Sequence, residues 1–136
     1  MKKIFLLSFL MLSLFSCSVE DSAPNFYYEV LPIESVDIPD SFEFGNVHEI
    51  KLTYFRPSGC HVFNNFFYET DLNQRTVAII TTVLPDTDCN QEAVLEEVAF
   101  NFEVNSTGPY TFRFWLGVDE NGNDTYYIVE VPVDDQ

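Results

Sequence analysis

The sequence predicts an all-β fold of the sandwich type, because short segments of alternating polar and apolar residues recur along the chain between turn residues. Residues 47–56 place Ile50, Leu52 and Tyr54 on one face, with the period of two expected of a half-buried strand. Towards the end of the chain, Asn121-Gly122 separates two such segments and supplies the positive φ angles of a tight hairpin turn. About seven strands at this spacing are typical of two packed antiparallel sheets.

The strands are expected at short intervals, and turn residues mark many of their ends. The predicted segments are 26–31, 35–38, 47–56, 61–69, 75–84, 93–104, 110–118 and 125–133. Pro32 and Pro39 interrupt the first two, which suits edge strands with one unpaired side. The segment 93–104 is also compatible with a helical turn over 91–95. The clean alternation over 100–104 favours a strand.

The composition supports one folded domain and excludes nucleic acid as a partner. Hydrophobic residues make up 46% of the chain and aromatic residues 16%, enough apolar material for a closed core. The formal net charge is −16 at pH 7, whereas phosphate binding requires clustered Lys and Arg. We therefore expect a single acidic domain that is a monomer and needs no cofactor.

The N-terminus predicts an export signal rather than a membrane-spanning helix. Lys2 and Lys3 form a basic start, residues 4–14 are almost wholly apolar, and the run closes on Ser16 and Cys17. This is the layout of a cleaved signal. Roughly a dozen apolar residues are too few for a bilayer span, which needs ~20. An ordinary secretory signal would leave Cys17 without a role.

This segment resembles the lipobox of bacterial lipoproteins, which ends in a lipidated cysteine. Leu14, Ser16 and Cys17 match the pattern, and Phe15 departs from its strictest form as in lipoproteins of the Bacteroidota. The resemblance implies that Cys17 is triacylated and holds the protein in the bacterial outer membrane. Residues 17–21 are also similar to the Bacteroidota signal for export to the cell surface. The chain then divides into a cleaved signal, 1–16, a lipidated N-terminus and acidic tether, 17–25, and a domain, 26–136.

The last hairpin gives the clearest indication of the type of sandwich. The run with Gly108, Tyr110, Phe112 and Phe114 at alternate positions, followed by a final hairpin, resembles the last two strands of many bacterial immunoglobulin-like domains. This resemblance implies an Ig-like antiparallel β-sandwich and nothing specific about function. By alternation, the inward residues of the hairpin are Tyr110, Phe112, Phe114, Leu116, Tyr127, Val129, Val131 and Val133.

Two cysteines remain once Cys17 is lipidated, and in an oxidising compartment they predict one disulfide between Cys60 and Cys89. The alternative is a metal site in which His61 and His48 join Cys60. That reading lacks the paired ligand spacing of known metal motifs. Neighbouring residues of a strand also point to opposite faces, which weakens a shared role for Cys60 and His61.

The acidic tip of the last hairpin raises a second cation hypothesis. Asp119, Asn121, Asn123 and Asp124 could offer oxygen ligands to Ca²⁺. The glycine does not fall at the position that an EF-hand requires, and the flanking alternation places the segment between strands. We therefore expect a plain turn, with a weak Ca²⁺ site as the alternative.

Aromatic residues suggest a ligand site on the sandwich surface. Trp115 alternates out of phase with Phe112 and Phe114, so it should face away from the core. Together with Tyr126 and Phe63 it could stack on sugar rings. Most aromatic residues in a domain of this size are needed as core, and an edge or interface role fits Trp115 equally well.

For function, the sequence predicts a non-catalytic cell-envelope lipoprotein that acts as an interaction or structural module. It contains no nucleophile elbow, zinc-protease motif or phosphate-binding loop. A carboxylate-based hydrolase is the remaining enzymatic alternative, because acids are abundant. The expected partners are the membrane, through the lipid anchor, and an envelope protein or glycan. The alternative function is surface ligand binding, of a glycan or Ca²⁺, through the exposed aromatic residues or the acidic hairpin tip.

Overall fold

The computed structural model describes residues 25–85 and 88–134. The predicted signal, Cys17 and nearly all of the tether lie outside the described residues, so their assignments stay predictions. Every regular element in the described part is a β-strand. That part contains no helix long and apolar enough to cross a membrane.

The strands coincide with or overlap every predicted segment. In chain order they are β1 Tyr27–Leu31, β2 Ile33–Asp37, β3 Phe42–Glu43, β4 Val47–Arg56, β5 His61–Asp71, β6 Gln74–Val83, β7 Val94–Glu103, β8 Tyr110–Val118, β9 Asp124–Val131 and β10 Val133–Asp134. The ambiguous segment is a strand as predicted, because β7 pairs along its whole length with β4. The short strands β3 and β10 were not expected from the sequence.

The strands form an all-β sandwich, as predicted, consistent with an Ig-like architecture. A five-stranded sheet contains β1, β5, β6, β8 and β9, and a three-stranded sheet has the order β2-β4-β7. In the larger sheet, β5 pairs with the whole of β6 on one side. The other side of β6 is divided between antiparallel β1 and parallel β8. A short parallel pair, β3 with β10, completes the fold.

Pro32 stands where the chain changes sheets. It separates β1, which pairs with β6, from β2, which pairs with β4 of the opposite sheet. Proline has no N–H to donate to a ladder and is tolerated at such edges. Within the described residues, β1 and β2 each pair with one strand, so the predicted edge role of these strands is confirmed.

The core lies between the two sheets and follows the alternation of the strands. In β4, Ile50, Leu52 and Tyr54 are fully buried, the face predicted from the sequence. The other large side chains with no exposed surface are Phe42, Val77, Ile79, Val104, Tyr110, Phe112 and Phe114. The Tyr54 hydroxyl donates to Glu96 Oε2 at 2.7 Å, and burial together with this carboxylate raises the pKa of the Tyr54 phenol far above its usual value.

The last hairpin confirms six of its eight predicted inward residues. Tyr110, Phe112, Phe114 and Val131 are buried, and Val129 and Val133 are half-buried against the core. The prediction is wrong for Leu116 and Tyr127, which are 41% and 47% exposed.

A β-bulge explains the exposure of Leu116, because the register shifts between Trp115 and Gly117 and breaks the alternation of β8. Tyr127 lies before the bulge, opposite Phe114 in the ladder. Gly117 has φ of +104°, and a Cβ there would lie 3.4 Å from Pro32 Cγ. Tyr127 stacks on Phe114 at 6.4 Å. Beyond this stack, Tyr127 and Leu116 line an open cavity of about 270 Å³ beside β2, where the three-stranded sheet leaves them uncovered.

The predicted disulfide is confirmed. Cys60 and Cys89 are bonded, with Cα atoms 5.4 Å apart and a sequence separation of 29. The bond ties the start of β5, in one sheet, to the segment that leads into β7, in the other. The Gly59 N–H donates to the Asn90 carbonyl at 2.7 Å beside it. Closing a loop of this length is expected to stabilise the fold by about 3 to 4 kcal/mol.

We predict that Phe114→Ala lowers the free energy of unfolding by ~3 to 5 kcal/mol, since it removes a fully buried ring and leaves a cavity. Glu120→Ala, at the exposed hairpin tip, is the control and should change stability by less than ~0.5 kcal/mol. Urea denaturation followed by tryptophan fluorescence measures both. Equal losses in the two variants would mean that the hairpin is not part of the central core.

Candidate functional site

The outer surface of the five-stranded sheet carries a patch of aromatic and aliphatic side chains. Alternation along β6 sends Val77 and Ile79 into the core and therefore turns Ala78 and Ile80 to the outer side. On this side a shallow cavity of about 310 Å³ opens among β1, β5, β6, β8 and β9. Its lining residues are Val30, Phe67, Thr76, Ala78, Ile80, Trp115, Asp124 and Tyr126, and we call them the aromatic face.

Trp115 and Tyr126 form the centre of this face and are held in fixed positions. They are directly opposite one another in the β8–β9 ladder, where side chains of a cross-strand pair touch. The Trp115 indole Nε1 donates to Asp124 Oδ1 at 2.9 Å. The Arg113 guanidinium lies 4.1 Å from the centre of the Tyr126 ring, a cation–π contact. Both rings are therefore half-buried and ordered, with one side left open to solvent.

The surroundings of the cavity are also apolar. Phe67 and Val30 are 44% and 45% exposed, and Tyr28 and Ile128 extend the same side of the sheet at 61% and 59%. Monomeric proteins rarely leave so continuous an apolar surface without a binding role. The face has the features of a binding surface: fixed aromatic rings, an apolar margin, and a carboxylate and a hydroxyl from Asp124 and Thr76.

The structure brings together two of the three aromatic residues selected from the sequence. Trp115 and Tyr126 are neighbours, but Phe63 is not on the aromatic face. It packs against the core with its ring 5.1 Å from that of Phe66. A bulge between Phe63 and Asn65 is the reason, because it lets Phe63 and Phe66 point inward although they are three residues apart. The neighbouring Phe67 takes the outer position.

The acidic hairpin tip is a hydrogen-bonded turn. One carboxylate oxygen of Asp119 accepts the backbone N–H groups of Asn121 and Asn123 at 2.8 and 2.9 Å, and Gly122 has φ of +80°. The hydrogen bond from the Asn123 N–H is the largest of the contacts that lower the pKa of the Asp119 carboxyl. Asp124 is engaged instead by Trp115. Ca²⁺ would have to compete with these N–H donors for the carboxylate oxygens of Asp119 and Asp124.

The alternative metal site at Cys60 is wrong, because Cys60 is bonded to Cys89 and offers no thiolate. The His61 ring nitrogens are 2.8 Å from Ser58 Oγ and 2.8 Å from Glu29 Oε2. His48 Nε2 accepts the Glu43 N–H at 3.0 Å. Over residues 25–85 and 88–134, no group of three or more His, Cys, Asp or Glu side chains is placed to hold a metal ion.

Comparison with known proteins identifies the domain at the level of family. Residues 50–133 match the family model described as the ORF11 beta-sandwich domain. This match runs from β4 to β10 and includes the whole β8–β9 hairpin. No curated protein and no solved structure matches the chain.

We predict that Asp119→Ala lowers the Tm at pH 7 and that the difference from wild type narrows in acid. The pKa of Asp119 is lowered in the folded state from its ordinary value of 3.8. The ionised carboxylate therefore stabilises the fold fully at a pH above its ordinary pKa. This stabilisation is lost as the pH falls through the lower pKa of the folded state. Scanning calorimetry between pH 2 and 7 measures this, with Glu120→Ala as control.

Millimolar Ca²⁺ should leave the Tm of the wild type unchanged, because a ligand that does not bind the native state cannot stabilise it. A Tm that rises with Ca²⁺ in the wild type and stays constant in Asp119→Ala would make the hairpin tip a cation site.

Proposed function

Since the chain belongs to the ORF11 beta-sandwich domain family, we propose that it is a non-catalytic interaction module of the bacterial cell envelope. A lipid on Cys17 anchors it in the outer membrane, and the domain faces the cell surface. The aromatic face is its binding surface, and a neutral glycan is the ligand class. The single observation that carries this proposal is the ordered, half-open pair of rings of Trp115 and Tyr126 in a shallow cavity.

The lipid anchor is supported by the lipobox resemblance and by the position of the first strand. Two or three acyl chains hold a protein on a membrane where one chain does not. The tether between Cys17 and β1 has about nine residues and spans at most roughly 30 Å when fully extended. The domain would therefore remain close to the membrane surface, within reach of envelope glycans and proteins.

The ligand class follows from the chemistry of the aromatic face. Indole and phenol rings present flat apolar surfaces and bury large areas with little loss of side-chain entropy. Asp124 and Thr76 line the cavity beside the rings and could bond to sugar hydroxyls. The strongly acidic chain, at −16, would repel polyanionic ligands. A neutral polysaccharide avoids that repulsion.

An envelope protein is the second candidate ligand. The extension of the apolar surface to Tyr28 and Ile128 favours it, because these residues lie beyond the cavity that a single sugar would fill. A protein partner would cover the whole outer side of the sheet, with Trp115 and Tyr126 near its centre.

We predict that mature protein from bacterial cells partitions into the detergent phase of a two-phase extraction and that Cys17→Ala does not. The physical reason is loss of ~0.8 kcal/mol for each acyl methylene removed from the membrane. Immunoblots of the two phases measure the distribution. If Cys17→Ala remained with carbonate-washed outer membranes, the proposed anchor would be wrong.

We predict that Trp115→Ala weakens binding to neutral polysaccharides by about tenfold or more, because it removes the central stacking surface. Affinity electrophoresis in gels containing soluble glucans, mannans or xylans measures the retardation. Phe55→Ala is the matched control, since Phe55 is 49% exposed but lies on β4 of the opposite sheet. Equal retardation of wild type and Trp115→Ala would exclude the aromatic face as the glycan site. If no polysaccharide retards the wild type, the glycan proposal fails.

A further inference from the structure

A second concavity lies at the side of the sandwich, between the edge strands β5 and β7. It is an open groove of about 600 Å³, within the range of about 300–1,000 Å³ that small-molecule sites occupy. Each bordering strand pairs on one side with its own sheet, β5 with β6 and β7 with β4. The groove is therefore separate from the aromatic face, which lies on the outer side of the larger sheet.

Arg75 lines the groove and is 7% exposed. Its Nη1 donates to the carbonyls of Leu72 and Gln74 at 2.7 and 2.8 Å. Its guanidinium carbon lies 5.2 Å from the centre of the Tyr110 ring and 5.8 Å from that of Phe102. The carbonyl dipoles and the ring faces favour the cationic guanidinium, but they do not neutralise the charge of Arg75.

Arg75 lacks a carboxylate partner among residues 25–85 and 88–134. The ion pairs in those ranges are Lys51 with Glu49, Arg56 with Glu96 and His61 with Glu29. The Arg75 guanidinium also shares a side-chain hydrogen bond with Tyr68, whose neutral hydroxyl does not balance its charge. A buried charge without a counterion is costly, and in a chain with 22 acidic residues a carboxylate partner would have been easy to supply. The unneutralised charge of Arg75 therefore marks a position suited to an anion from outside.

The walls of the groove are aromatic. The Phe100 ring meets the rings of Phe66 at 5.2 Å and Tyr68 at 5.9 Å, both edge to face. Burial raises the pKa of Tyr68, with nearby Arg75 opposing this shift, so the phenol is neutral at pH 7 and can donate a hydrogen bond. The walls thus offer flat apolar contact and a hydroxyl close to the cation.

Polar side chains line the remainder of the groove. Asn65, Asn101 and Thr70 offer amide and hydroxyl groups. The Asn101 side chain makes no hydrogen bond to other described residues, and Asn65 uses its side-chain oxygen on the Phe66 N–H, which leaves its amide N–H groups available. Glu103 is the one acid that lines the groove, and it would oppose a ligand of high negative charge.

We propose that this groove binds a sugar carrying a single carboxylate, such as a uronic or sialic acid unit. The Arg75 guanidinium and the neighbouring Tyr68 hydroxyl donate to the carboxylate. Phe100 and Tyr68 contact the apolar side of the sugar ring, and Asn65 and Asn101 bond to its hydroxyls. A polyanion is disfavoured by Glu103 and by the net charge of −16.

The test is titration of the detergent-solubilised mature protein with glucuronate and N-acetylneuraminate, compared with glucose and acetate, by calorimetry. We expect at least one acidic sugar to bind at least tenfold more tightly than glucose and acetate. No binding of either acidic sugar at millimolar concentration would overturn the proposal. If acetate bound as tightly as both acidic sugars, the proposed contacts to the sugar ring would be wrong. If glucose bound as tightly, the proposed role of the carboxylate would be wrong.

Variants locate the binding in the groove. Arg75→Lys should weaken it about tenfold or more, because the planar guanidinium and its several donors are lost while the charge is kept. Glu103→Gln should strengthen it severalfold by removing a like charge. Asn101→Ala, at an exposed position, should weaken it severalfold without altering the Tm. Arg56→Lys, at the end of β4 and outside both the groove and the aromatic face, is the matched control and should bind as the wild type does.

If Arg75→Lys lowers the Tm strongly, Glu103→Gln and Asn101→Ala decide the question, since both residues are exposed. Unchanged affinity in both of these variants would place the acidic sugar elsewhere. Loss of acidic-sugar binding in Trp115→Ala rather than at the groove would assign it to the aromatic face. If the groove does not bind an acidic sugar, the test of neutral-glycan binding at Trp115 is unaffected, because the two sites share no residue.

Discussion

Contact among four aromatic rings between the sheets is the constraint on which the rest of the structure depends. Phe102 belongs to the three-stranded sheet, and its ring lies 4.8 Å from Tyr110 and 5.1 Å from Phe112 of the other sheet. Phe42, from a strand of two residues, contacts all three at 5.2 to 6.1 Å. Edge-to-face packing of this kind adds to the free energy of burial. The rings therefore fix the spacing of the sheets and the position of β3, which has little pairing of its own.

The same rings connect the core to the groove. Arg75 lies over Phe102 and Tyr110, so its guanidinium is held by the residues that hold the two sheets together. The Tyr110 hydroxyl, in turn, donates to Asn105 Oδ1 at 3.0 Å, on the margin of the groove. A cation fixed in this way loses little conformational entropy when it meets a ligand. The groove is thus preorganised by the core together with the β5–β6 turn.

How much could be predicted from the sequence depended on whether alternation continued unbroken. It ran without interruption through Ile50, Leu52 and Tyr54, and the buried face of β4 was assigned correctly. Bulges in β5 and β8 broke it at Phe63 and Leu116, and the expected exposure of both residues was wrong. Nothing in a single sequence marks a bulge in β5, although Gly117 is a signal for the one in β8. Strands of two residues are equally invisible, because β3 and β10 are held by tertiary contacts.

The groove was missed for a different reason. Arg75 begins a run, residues 75–84, that is apolar on both faces, so alternation did not decide which face is buried, and most arginines face solvent. Its burial depends on the β5–β6 turn, in which Leu72 adopts φ of +51° and presents its carbonyl to Nη1. The sequence offers one indication, the scarcity of basic residues, because it contains 6 Lys and Arg residues but 22 acidic ones. Most of the surface repels anions, but a buried arginine without a carboxylate partner attracts them at one position. Such a position would favour a ligand that carries a single negative charge.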